Sequence, residues 1–138
     1  MKHNKGFTLI EMMVVVAIVG ILMVLIIMPM YQEYTIRARV VEGITMAEVA
    51  KVAVSETTTI NNHLPADQGA TKYITPASTP NVGSIVIGAN GVIIITYTPL
   101  SGNGTIILTP TRNSNGDLTW DCTIGSLISK YRPAICRP

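Results

Sequence analysis

Three groups of residues in this chain have the chemistry to do something specific. Glu11 is the first, a lone carboxylate directly ahead of an uncharged run over residues 12–31. An isolated acid at the mouth of a membrane-spanning segment is costly unless a cation neutralises it, so the chain must supply one. The second group is Cys122 and Cys136, both within the last seventeen residues. If this part of the chain is exported, a disulfide between them is the simplest reading, because oxidising compartments permit it. With only His3 and His63 to add to the two cysteines, there is no metal-ligand set. The third group is Lys130, Arg132 and Arg137, in and beside the loop that the cysteines enclose. These cations suit contact with DNA or another anionic surface, and equally an ordinary solvated face. No Gly-rich phosphate loop, zinc-ligand cluster or nucleophile and base pair is present, and the carboxylates have no catalytic spacing. An enzyme is therefore not expected, and nothing calls for a cofactor.

A chain of 138 residues has room for one modest domain beside one membrane segment, not for two independent cores. The averages of 48% hydrophobic and 13% charged residues conceal two different halves, an apolar N-terminus and a region rich in Ile, Val and Thr. The formal charge of +2 rests on Lys2 and Lys5; loss of residues 1–6 would leave eight basic side chains against eight acidic ones. Such a near-neutral chain has little general attraction for nucleic acid.

The element that must position Glu11 is the run it introduces. Residues 12–30 are nineteen consecutive apolar, Gly or Pro residues. As helix they would span about 28 Å, close to the ~30 Å of a hydrocarbon core. A buried helix of a soluble protein is the alternative. Lys2 and Lys5 ahead of the run, with no charge inside it, favour a cytoplasmic leader and a periplasmic head. An ordinary signal peptide would offer a small-residue cleavage site after its apolar stretch, and Ile27-Met28-Pro29-Met30-Tyr31 offers none. Gly20 and Pro29 weaken a continuous helix by about 1 and 3 kcal/mol, which marks them as points of helix flexibility. Such defects are tolerated where neighbouring helices cover the freed backbone groups.

Beyond Pro29 an amphipathic extension over residues 32–56 is expected. Tyr31, Tyr34, Val41, Ile44, Ala47, Ala50, Val52 and Val54 recur every three to four residues among Glu33, Arg37, Glu42, Glu48 and Lys51. The pairs Glu33 with Arg37 and Glu48 with Lys51 have spacings that reinforce a helix surface. Residues 57–138 form the head. Residues 57–83, rich in Thr, Asn, Pro and Ala, read as a connection over one flank. Four strand candidates follow at 84–87, 92–98, 105–109 and 118–122, separated by Asn90-Gly91, Ser101-Gly102-Asn103-Gly104 and Asn115-Gly116-Asp117. Such short separations favour an antiparallel meander over parallel crossovers. One face of it would pack on the extension, giving an α+β fold with a long N-terminal helix against a small sheet.

At the N-terminus the residues become specific. Lys5-Gly6-Phe7-Thr8-Leu9-Ile10-Glu11, followed by Met12-Met13-Val14-Val15-Val16-Ala17-Ile18-Val19-Gly20-Ile21-Leu22, closely resembles the class III signal and N-terminal helix of type IV pilins. The likeness runs more loosely through the rest of the chain. It implies residues 1–6 as a leader peptide, cleavage between Gly6 and Phe7 by a prepilin peptidase, and N-methylation of Phe7. Residues 7–31 would then be the transmembrane and filament-core helix. Cleavage would create a cation four residues before Glu11, and in a filament Glu11 of an entering subunit would pair with the Phe7 amine of its neighbour, guiding axial register. In many members the proline comes eight residues after the glycine; here Pro29 comes nine after Gly20, which turns any bend by about 100° around the helix.

The resemblance further implies a pilin fold with a C-terminal disulfide region closed by Cys122 and Cys136, and a major structural subunit of a type IVa pilus. Its partners would be other copies in a homopolymer, the prepilin peptidase, an inner-membrane platform and minor pilins, with the inner membrane as host before assembly and the cell surface afterwards. Surface adhesion, twitching motility and DNA uptake, with weak DNA binding, are roles of the family. A minor pilin or a secretion pseudopilin shares the leader and helix logic, and a monomeric membrane-anchored periplasmic binding module is an alternative of another class.

Overall fold

The computed structural model describes residues 6–138. The basic leader residues Lys2, His3 and Lys5 lie outside the described part. One helix, α1 (Leu9–Asn61), precedes four strands, β1 (Val82–Ile87), β2 (Ile93–Tyr97), β3 (Thr105–Arg112) and β4 (Leu118–Ile124). The chain divides into two units, the first ending at Glu33 and the second comprising Tyr34–Pro138.

The first unit is helix from Leu9 onward. None of the residues in its 18-residue window of mean hydropathy 3.0 is buried within the protein, and α1 is long and apolar enough to cross a membrane. The helix continues through both Gly20 and Pro29. A proline inside a helix removes one backbone donor, and the helix nevertheless continues past it.

In the second unit, the part of α1 from Tyr34 onward packs against the sheet. Val40, Gly43, Ala47, Ala50 and Val54 are buried at intervals of three and four, the spacing that lines one helix face. The stripe is displaced from the expected one, because Val41 and Val52 are exposed. Small residues let the helix approach closely. A side chain on Gly43 would meet the Tyr97 ring at 2.6 Å, and the Tyr97 hydroxyl donates to the Val40 carbonyl at 2.8 Å. Burial, then the Glu42 charge, raises the Tyr97 pKa, so the phenol stays neutral and able to donate.

The sheet is an antiparallel meander in the order β1-β2-β3-β4. Alternate residues point inward: Ile85 and Ile87, then Ile93, Ile95 and Tyr97, then Ile106 and Leu108, with Cys122 from β4. Several boundaries differ from expectation: β1 starts at Val82 and not at residue 84, β2 is one residue shorter at each end, and β4 ends at Ile124 and not at residue 122. β3 runs past Pro110 to Arg112 because β2 pairs with β3 only as far as Leu108, so the proline's missing donor breaks no ladder bond on that side.

The helix also outlasts residue 56. Thr57, Thr58 and Thr59 donate their hydroxyls to the carbonyls of Ala53, Val54 and Ser55 at 2.8, 2.7 and 2.9 Å, which satisfies these polar groups within the helix. Asn62 ends the helix with φ 60°, and Arg112 of β3 grips its carbonyl and its side-chain oxygen. A left-handed Asn just past the helix and a cation on the last carbonyls are two ordinary ways to satisfy a helix C-terminus.

Candidate assembly site and head surface

Gly6, Phe7 and Thr8 are non-helical and exposed, and α1 begins at Leu9. The bond between Gly6 and Phe7, the expected cleavage position, thus lies in exposed backbone ahead of the helix. Glu11 occupies the third helical position, and its backbone N–H donates to the Thr8 side-chain oxygen at 3.4 Å. The Met12 N–H donates to the Thr8 carbonyl at 3.3 Å, the first bond of the helical ladder. Thr8 is therefore the N-cap and Glu11 the acid three places on, an arrangement that favours a negative charge beside the positive end of the helix. The Thr-x-x-Glu spacing ahead of an apolar run is a helix start signal legible in the sequence alone.

After this cap the apolar surface is unbroken. Phe7 is 78% exposed, and every residue from Gly6 to Gln32 is classed as exposed. Two shallow depressions follow one another along this surface, the first lined by Leu9, Met12, Met13, Val16 and Ala17 and the second by Val16, Ala17, Gly20, Ile21, Val24 and Leu25. An uncharged helical surface of this length cannot face water and needs lipid or other helices around it.

The end of the head is built differently. Cys122 and Cys136 form a disulfide with their Cα atoms 4.7 Å apart. Inside the loop that it closes, Arg132 is 5% exposed. Its guanidinium donates to the carbonyls of Leu127 at 2.8 Å, Gly125 at 2.6 Å and Thr123. Arg132 therefore does not act as a surface cation, which corrects the expectation of a three-residue anionic-ligand patch with Lys130 and Arg137. An arginine can be buried this way because its planar fork aims several donors at once. Lys130 and Arg137 are exposed; the Lys130 ammonium sits 5.0 Å from the Tyr131 ring centroid, and Arg137 Nε donates to the Arg132 carbonyl at 3.1 Å.

Two helix arginines fasten the loops around this region. Arg37 donates to the Lys130 carbonyl at 2.8 Å and Arg39 to the Leu100 carbonyl at 2.9 Å. Gly125 has φ 131°, and a side chain there would lie 2.2 Å from the Thr105 carbonyl oxygen, so the loop can close on β3 only with glycine at this position. Among the expected helix-surface pairs, Lys51 and Glu48 form a salt bridge at 2.7 Å. Among the described residues no cluster of three His, Cys, Asp or Glu side chains comes together.

Glu42 ties α1 to the entry of β1. Its two carboxylate oxygens accept from Asn81 Nδ2 at 2.6 Å and from the Thr79 hydroxyl at 2.8 Å. Those bonds, the Asn81 one foremost, lower its pKa from the ordinary 4.5. A depressed carboxylate pKa adds stability above the unfolded value, and this is lost as pH falls through the folded one. The head should therefore unfold more easily as pH drops below about 4.5, whereas a Glu42→Gln chain should show a flatter pH profile and equal the parent once Glu42 is protonated. Thermal midpoints measured in steps from neutral to acid pH check this.

Comparisons with known proteins agree with the geometry. Residues 36–137 match the family described as Pilin (bacterial filament), and residues 1–27 match the prokaryotic N-terminal methylation motif. The fimbrial protein EcpC of Eikenella corrodens is 37% identical over 97% of this chain and 91% of its own length. The type IV major pilin protein PilE1 of Neisseria gonorrhoeae is 37% identical over 86% of this chain and 75% of its own length. A fimbrial protein of Neisseria meningitidis serogroup A is also 37% identical, covering 86% of this chain and 72% of its own. A capped apolar helix with one acid, a four-stranded head closed by a C-terminal disulfide, and these matches over nearly the whole length together make this chain a member of the type IV pilin family.

Proposed function

We propose that this chain is a major structural subunit of a type IV pilus, held in the inner membrane by residues 7–31 with its head in the periplasm until it is drawn into the filament. The observation that carries the reading is the exposed, uncharged helical surface that follows Glu11. Lipid satisfies it before assembly and neighbouring helices afterwards, so transfer into a filament exchanges one apolar cover for another. Prepilin peptidase cuts after Gly6, and the freed Phe7 amine, methylated, supplies the cation that Glu11 lacks. An open filament needs one face of each subunit to bind a different face of the next, and an amine and a carboxylate at separate positions provide such a pair. The role is structural rather than catalytic, with the inner-membrane platform and minor pilins as partners in assembly.

Adhesion and twitching are carried over as roles of the family and are not tied to particular residues of this chain. DNA contact, if made through this end of the head, falls to Lys130 and Arg137, too few charges for more than weak, salt-sensitive binding. Shearing cells and identifying the dominant filament protein tests the reading; a chain found only as a trace component would be a minor pilin or pseudopilin instead, and one never found in filaments would be a monomeric anchored module.

Gly20 and Pro29 are the points at which α1 yields or packs closely as it leaves lipid. A methyl group on Gly20 meets nothing within 4 Å in the isolated chain and should strengthen the helix by about 1 kcal/mol. Gly20→Ala should therefore leave the membrane pool of mature protein intact while filament yield falls several-fold. Quantitative blotting of sheared and membrane fractions measures both, and an unchanged ratio would remove Gly20 from assembly.

A further inference from the structure

Three Asn-Gly pairs stand in the turns of the head: Asn90-Gly91, Asn103-Gly104 and Asn115-Gly116. Such a pair carries its own chemistry, because the backbone nitrogen of the second residue can attack the side-chain amide of the first, and glycine has no side chain to obstruct it. The attack requires that nitrogen to leave its place in the fold, so packing decides which pair can react.

Two of the three are locked. Gly91 is buried, its N–H donates to the Pro65 carbonyl at 3.0 Å, and a Cβ there would meet Val54 at 2.9 Å and Pro65 at 3.3 Å. Gly104 is pressed on the next loop, where a Cβ would fall 2.6 Å from the Leu127 Cα, and its carbonyl accepts the Tyr97 N–H at 2.8 Å. Asn90 and Asn103 are held at φ 57° and 50° within these closures. Asn115-Gly116 is built otherwise. It closes the hairpin between β3 and β4, residues 111–117 are all exposed, and nothing lies within 4 Å of a Cβ on Gly116. The Gly116 N–H donates to the Asn113 carbonyl at 3.0 Å and the Asn113 N–H to the Asp117 carbonyl at 2.8 Å, so both restraints belong to the turn and can open while the sheet stays paired. Gly116 has φ 91°, so the turn requires the very residue that makes it reactive.

We propose that Asn115 is a site of spontaneous, backbone-assisted deamidation, the one pair of the three that the folded head leaves open to it. The Gly116 nitrogen gives up its proton and bonds to the side-chain carbonyl carbon of Asn115; ammonia leaves, and a succinimide ring remains. Water then adds to one of the two ring carbonyls and opens the ring. Breaking the bond from the side-chain carbon to nitrogen restores an ordinary chain with an aspartate in place of Asn115. Breaking the other bond leaves isoaspartate, with one more carbon in the main chain of the turn. The sum is one water consumed and one ammonia released. Either product adds a carboxylate two residues from Asp117 and tips the balance of eight basic against eight acidic side chains in residues 7–138 to the acidic side.

The mature chain, folded in detergent or unfolded in guanidinium chloride, is held in mildly alkaline buffer and digested at intervals. Peptide mass spectrometry follows the exchange of amide NH2 for OH at each Asn, and an isoaspartyl methyltransferase assay detects isoaspartate. In the folded chain Asn115 should convert at least about tenfold faster than Asn90 or Asn103, a ratio that needs opening costs to differ by only about 1.4 kcal/mol. Unfolding should make the three rates converge, and Asn115→Gln should abolish the early isoaspartate signal of the folded chain, because the longer side chain must close a larger ring. Conversion of Asn90 or Asn103 as fast as Asn115 in the folded chain would overturn the proposal. Persistence of the same ranking after unfolding would overturn it too, since the choice would then lie in the neighbouring residues and not in the fold.

Discussion

Glu11→Ala should give a chain that is cleaved and retained in the membrane but enters filaments at roughly a hundredth of the normal level or less. The size follows from what each partner loses. Removing one member of a desolvated ion pair strands the other, at a cost of about 3–5 kcal/mol, which is a factor of a hundred or more in a docking equilibrium. Membrane insertion moves the other way, because alanine removes a buried charge and makes the apolar segment easier to accommodate. A drop in filaments with an undiminished membrane pool therefore points to docking and not to export. Glu11→Gln separates charge from shape: it keeps the volume and a hydrogen-bonding oxygen, and should recover only a small part of the yield. Immunoblots of sheared filaments against cleaved membrane protein decide the matter, and wild-type yield from Glu11→Ala would rule out charge pairing as the basis of assembly.

The parts of this molecule that could be read from the chain are those whose cause is local. The run over residues 12–30 has the length and apolarity to cross a hydrocarbon core, and the Asn-Gly and Gly-Asn-Gly turns mark a meander because few residues tolerate the required backbone. The strand centres therefore stand where the pattern put them. What escaped depends on groups that meet only after folding. Arg132 reads as a surface cation beside Lys130 and Arg137, and it is buried because three loop carbonyls converge on it. The end of α1 reads as residue 56 because three threonines follow, and it lies at Asn61 because Arg112, fifty residues away in sequence, holds the helix terminus. Pro110 reads as a strand end until the absence of β2 beside it is known. Thr8 is the exception, since its cap is local and its spacing to Glu11 is visible in the chain.

The disulfide and Arg132 should prove to be one device and not two. Converting both Cys122 and Cys136 to Ser leaves no free thiol and should destabilise the head by about 3 kcal/mol, the loop-closure entropy of roughly fifteen residues. Arg132→Leu leaves the carbonyls of Thr123, Gly125 and Leu127 without their donor, at about 1–3 kcal/mol for each one that solvent cannot reach. Arg132→Lys should rescue little, because a single ammonium cannot span three carbonyls set for a planar fork. Both changes free the same segment from β3 and β4, so their effects should not add: once the loop is opened by loss of the disulfide, Arg132 has fewer ordered carbonyls left to hold. Urea unfolding of the mature chain in detergent, followed by Trp120 fluorescence, measures the three variants and their combination. A combined loss smaller than the sum by about 1 kcal/mol or more is the expected result. Strict additivity would mean that the arginine and the disulfide stabilise separate parts of the head, and that the loop keeps its shape without its covalent closure.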